Sequence, residues 1–186
     1  GSSTGGDAKG VYVTGGTDVS VTVSGTNTQA IKIGAAAYAK DAVNATGYPK
    51  SNGNASYDPT GNVTVTGVTS TTSTTTGKKD ATFNSGNVDI YTNGGSTVTV
   101  KGAGTTTVTD QGTFGLRLAS TDTADTIGTS TVTTVNLAGL GGNATITSDA
   151  ISTVSVSDTL AARTVTVANS GKVGANSGTI NFVVSN

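Results

Sequence analysis

Cysteine, histidine, methionine, tryptophan and glutamate are all missing from this chain of 186 residues, and proline occurs only at Pro49 and Pro59. Without histidine or cysteine there is no imidazole base and no thiol nucleophile, which removes the usual triads of nucleophilic catalysis. The lack of cysteine also removes disulfide scaffolds and thiolate metal sites. Aromatic residues make up 4% of the chain and hydrophobic residues 33%, too little for a thick globular core at this length. No apolar run approaches the ~20 residues of a membrane-spanning helix, so no transmembrane segment is expected. A net charge of −1 with 10 basic residues leaves no electrostatic footprint for nucleic acid. The adjacent basic pair Lys78-Lys79 reads as a solvated loop. With neither a signal peptide nor an initiating methionine, the chain is expected to be a segment of a longer protein.

What is present is threonine, serine, asparagine and 27 glycines, with valine as the main apolar residue. Thr and Val are β-branched and favour pleated backbone, and glycine supplies turns at positive φ. Short triplets alternate apolar and polar residues: Val11-Tyr12-Val13, Val19-Ser20-Val21, Ile31-Lys32-Ile33, Val88-Asp89-Ile90, Val98-Thr99-Val100 and Leu116-Arg117-Leu118. The series continues through Val135-Asn136-Leu137, Val154-Ser155-Val156 and Val165-Thr166-Val167. In each, one face is buried and the other wet. Many of the triplets follow one another at about ten residues, which suits stacked coils sharing one continuous core. Two steps make a coil of about 20 residues, the order of one turn of a parallel β-helix or β-roll. An antiparallel β-sandwich is the rival reading, because its strands recur at about 8–12 residues with turn signals between them.

The spacing predicts a single repetitive β domain over residues 1–186, with an insertion at 34–62 and a Thr/Ser-rich excursion at 68–87. Within the insertion, the Ala-rich run Gly34 to Val43 is the one helix candidate, near the marginal length for a helix. The run Thr69 to Thr76 is a surface loop, an O-glycosylated patch or an extra strand. An internal echo links Gly10 to Gly25 with Asn87 to Gly102, each reading strand, Gly-Gly turn, strand, glycine. One repeating unit is therefore expected to hold two or three coils.

Two groups of residues are candidates for binding. All acidic residues are aspartates, and Asp110, Asp149 and Asp158 each fall just beyond a strand, while Asp122 and Asp125 form a close pair. Stacked coils can gather such turn carboxylates with backbone carbonyls into an oxygen cage for calcium; the alternative is that each aspartate forms an Asx turn with its own backbone. In the insertion, Tyr48 and Tyr57 with Asn52 and Asn54 suit a loop gripping a glycan or a neighbouring protein. A small satellite core is the alternative for these tyrosines. The pair Asp122 and Asp125 also has the residue type for glycoside hydrolysis, but the chain has no tryptophan to build a sugar platform.

The strings Thr131 to Leu137, Ser152 to Asp158 and Arg163 to Ala168 resemble repeats of bacterial surface proteins, namely type I-secreted surface-layer proteins and giant adhesins. The N-terminal region, with Gly10-Val11-Tyr12-Val13 and Gln29 to Gly34, is similar to autotransporter passenger β-helices. The resemblance implies export, a location on the bacterial cell surface, calcium dependence and no catalysis. The expected function is a non-enzymatic structural module that assembles with copies of itself into a layer or filament, or serves adhesion to a cell-surface glycan. The alternatives are a polysaccharide-acting β-helix, such as a tailspike or lyase fragment, and a passive adhesin stalk.

Overall fold

A computed structural model describes residues 10–23, 30–34, 58–67, 70–72, 79–81, 86–110, 130–158, 162–168 and 178–185. Two parallel 6-stranded sheets face each other, and the chain alternates between them, so each coil contributes one strand to each sheet. The first coil holds β1 (Val11–Val13) and β2 (Val19–Thr22), and the second holds β3 (Ile31–Ile33) and β4 (Val63–Thr66). A small antiparallel hairpin follows, β5 (Ser70–Thr72) with β6 (Lys79–Ala81). The third coil is β7 (Val88–Thr92) and β8 (Thr97–Lys101), and the fourth is β9 (Thr106–Asp110) and β10 (Thr134–Ala138). The fifth is β11 (Ala144–Thr147) and β12 (Thr153–Ser157), and the last is β13 (Val165–Ala168) and β14 (Asn181–Ser185).

This is the coil stack of the β-helix or β-roll kind. The sandwich alternative fails because every coil-to-coil pairing in both large sheets is parallel. Gly-Gly turns, which suit hairpins in a sandwich, here carry the chain from one sheet to the other: Gly15-Gly16 joins β1 to β2 and Gly94-Gly95 joins β7 to β8. The echo read in the sequence is the likeness of the first coil to the third.

Alternation along each strand builds the interior. In one sheet, Val13, Ile33, Ile90, Val108, Ile146 and Val167 stack in register from coil to coil. In the other, Val21, Val65, Val100, Leu137, Val156 and Val184 do the same. The central members of these columns, from Ile33 to Ile146 and from Val65 to Leu137, are at most 2% exposed. A thin core therefore suffices, since each residue is covered by the coils on either side and by the facing sheet.

Corners between the sheets follow a rule of their own. Where the chain passes from the β1 sheet to the β2 sheet, odd coils turn tightly, through residues 14–18, 93–96 and 148–152. Even coils make long connections there, through residues 34–62, 111–133 and 169–180. The expected helix at Gly34 to Val43 lies, beyond Gly34, outside the described residues, as does the expected strand Leu116 to Leu118.

Candidate functional site

Inward positions at the downstream end of the β1 sheet depart from the apolar rule. There Thr92 pairs in register with Asp110, and Ser148 follows β11 at the same level. All three are buried. Asp110 ends β9 because its carboxylate works as an acceptor for the chain returning from the long connection. Its Oδ2 accepts the backbone N–H of Thr131 at 2.7 Å and that of Val132 at 2.9 Å. The Ser148 hydroxyl lies 3.3 Å from the same oxygen and 2.8 Å from the Val132 carbonyl oxygen, the nearer acceptor for its single hydrogen. Ser148 Oγ also accepts the Ala150 N–H at 3.2 Å, and the Asp149 N–H donates to Ser130 Oγ at 3.2 Å. In the preceding coil Thr92 has the same role, its hydroxyl placed against the carbonyl oxygens of Gly94 at 2.8 Å and Pro59 at 3.1 Å. The cluster thus satisfies backbone groups where the ladder breaks at a corner.

Of the carboxylates read as calcium ligands, Asp110 and Asp149 stand at this corner. Asp158 is exposed, at φ 52, and follows β12 at the opposite edge of the stack. A strand of five residues, spanning roughly 16 Å, separates the two edges, so these three do not share one cage. Asp122 and Asp125 lie outside the described residues, as do Tyr48, Asn52, Asn54 and Tyr57. Among the described residues no group of three acidic side chains comes together to hold a metal ion, and no helix is long and apolar enough to cross a membrane.

A recurring Asx device went unread in the sequence. An Asp or Asn directly before a strand feeds the neighbouring coil: Asp18 Oδ1 accepts the Asn62 N–H at 2.7 Å, and Asn62 Oδ1 accepts those of Ser96 and Thr97 at 3.1 and 3.0 Å. On the other sheet, Asn87 Oδ1 accepts the Thr105 N–H at 3.3 Å and Asn143 Oδ1 that of Thr164 at 3.1 Å. The signal was an Asn or Asp immediately ahead of an apolar-x-apolar triplet. Two of these, Asn62 and Asn143, also head glycosylation-type sequons, and their side-chain oxygens are engaged between coils.

Outward positions form polar ladders. Ser20, Thr64, Thr99, Asn136 and Ser155 stack in one column, with Asn136 Nδ2 donating to Thr99 Oγ1 at 3.4 Å. On the other sheet the column is Tyr12, Lys32, Asp89, Thr107, Thr145 and Thr166. Lys32 Nζ sits 6.0 Å from the centre of the Tyr12 ring, a cation–π distance. Tyr91 is half-buried beside this face, and burial, then the charges of Asp89 and Asp58, push its phenol above the usual tyrosine value. Comparison of the chain with protein-family models, curated proteins and solved structures gave no match.

Proposed function

We propose that this chain is a non-enzymatic structural module of an extracellular bacterial surface protein, a stiff β-coil rod that assembles with copies of itself or holds a cell-surface glycan. The observation that supports this reading most is how the side chains are spent. Inward columns are filled almost wholly by Val, Ile and Leu for stacking. The buried polar residues Thr92, Asp110 and Ser148 hold backbone groups at corners, and among the described residues the outward ladders of Thr, Ser and Asn, with Tyr12, Lys32 and Asp89, remain to meet a partner.

The resemblance to surface-layer proteins and adhesins supplies the location and the partner class. Calcium belongs to the proposal through the sequence, with Asp122 and Asp125 in the segment joining Asp110 to Ser130. The experiment is light scattering and electron microscopy of the purified chain with and without millimolar calcium, joined to a glycan screen. Filaments, sheets or glycan capture are expected, and loss of assembly on chelation is the expected mark of calcium. A chain that stays monomeric at high concentration in calcium and binds no glycan would overturn the reading.

A further inference from the structure

We propose that the outward face of β9, β11 and β13 is an ice-binding surface, a neutral hydroxyl grid whose ligand is the ordered water of an ice crystal. The proposal goes beyond the assembly reading above and does not depend on it.

Register sets the grid. Pairing of β9 with β11 puts Thr107 beside Thr145 and Thr109 beside Thr147, and pairing of β11 with β13 adds Thr166 beside Thr145. Just ahead of the strands, exposed Thr105 and Thr164 continue the same alternation on either side of Asn143. With Ala168 in line with Thr147, three strands offer three outward positions each, and seven of the nine are threonine. None of the nine carries a charge or an aromatic ring. The rows repeat at about 4.8 Å from coil to coil and at about 6.7 Å, two residues, along each strand. Oxygen rows on the prism face of hexagonal ice repeat at close to the same pair of distances. Register is kept without a bulge from β7 to β13, so the rows stay aligned.

The hydroxyls themselves give an independent sign. Inward Thr92 and Ser148 spend theirs on backbone, and Thr99 on the opposite face takes a bond from Asn136. Among the described residues, none of the seven grid hydroxyls has a protein partner. Each therefore bonds to water. A threonine side chain is stiff about χ1, so water above the grid meets fixed oxygens with methyl groups between them.

Other occupants are served less well. The aromatic and charged residues of this sheet, Tyr12, Lys32, Asp89 and Tyr91, stand in coils ahead of the grid, so a sugar ring has no platform within it. A protein partner finds no Trp, Tyr or Arg of the kind that anchors interfaces. A second copy of the face would match the repeat, but it would set hydroxyl against hydroxyl with little apolar area to bury.

The grid spans about 10 Å by 13 Å, so crystal shaping and slowed recrystallisation are expected rather than a large drop in freezing point. The purified chain is expected to enter slowly grown ice in excess of an unrelated soluble protein of similar mass in the same solution. Thr145 lies at the centre of the grid and is exposed, so Thr145→Lys should lose both enrichment and shaping while keeping its β circular dichroism. Thr166→Lys, also exposed, is expected to do the same. Ser20→Lys, exposed on the opposite sheet, should keep both. A parent chain no more enriched than the unrelated protein would overturn the proposal, as would folded Thr145→Lys and Thr166→Lys that still shape crystals. Loss of shaping in Ser20→Lys would move the contact to another face and overturn it too. Sedimentation above freezing, if Thr145→Lys splits an assembly that the parent forms, would hand the face to a second copy. Assembly and glycan capture are measured above freezing, so a failure on ice leaves that reading standing.

Discussion

Single residues in this protein are tied to backbone more than to each other. Asp110 is the clearest case, because one carboxylate oxygen satisfies two N–H groups of a returning segment in a buried setting. Asp110→Ala should cost about 3 kcal/mol, since it removes charge-assisted bonds and strands buried donors. Asp110→Asn, which keeps an acceptor oxygen, should cost less, and urea denaturation of both variants checks the order. Thr106 is the opposite case. It stands in an apolar inward column between Val88 and Ala144, and its buried Oγ1 has no hydrogen-bond partner among the described residues. Thr106→Val keeps the shape and removes the unsatisfied hydroxyl, so it should stabilise the fold by about 1 kcal/mol in the same assay. At Tyr91 the folded chain holds the phenol proton more tightly than the unfolded chain does. That contribution is fully present below the ordinary value of about 10 and is lost as pH rises through the raised one. Tyr91→Phe should therefore flatten this component of the alkaline fall in stability, read as melting temperature against pH.

Among elements, the corners are more constrained than the strands they join. Strands of adjacent coils lie about 4.8 Å apart, whereas packed layers of chain need about 10 Å. At the edge joining the β1 sheet to the β2 sheet the long connections fall on even coils and tight turns separate them. The tight turns stack closely against the end of the long connection between them, residues 59–61. The Asn93 N–H donates to the Pro59 carbonyl oxygen at 3.0 Å, and the Gly61 N–H to that of Thr17 at 2.7 Å. A Cβ added at Gly94 would collide with the Thr60 carbonyl, and Gly95, at φ 72, adopts a backbone that other residues resist. Gly94→Ala should thus destabilise by roughly 3 kcal/mol, the upper end for forcing atoms into a packed site, although alanine usually stabilises exposed chain. Denaturant titration decides it, and a neutral result would mean that the turns can move apart. Sequence marked these turns by their Gly-Gly pairs but not their stacking, because the contact partner lies a whole coil away.

For the molecule as a whole, each coil touches only its neighbours, so stability is expected to vary along the stack rather than to be uniform. Val100 in the third coil is fully buried, while β14 in the last is exposed throughout. Hydrogen exchange of this chain should accordingly be slowest in β7 to β10 and fastest in β14. Equal protection along the whole chain would show a single cooperative unit instead.

Period-two alternation and glycine punctuation were enough to mark most of the described strands and their inward faces, because each depends on neighbours within a few residues. The Val19 and Val98 triplets, for example, declare their buried face with no knowledge of what covers it. Parallel pairing, the alternation of long and tight corners, the Asx bonds from Asn62 and Asn143 to the next coil, and the separation of Asp158 from Asp110 all depend on residues far apart in sequence. Only the closing of one coil on another brings those groups within hydrogen-bond reach or holds them at opposite edges.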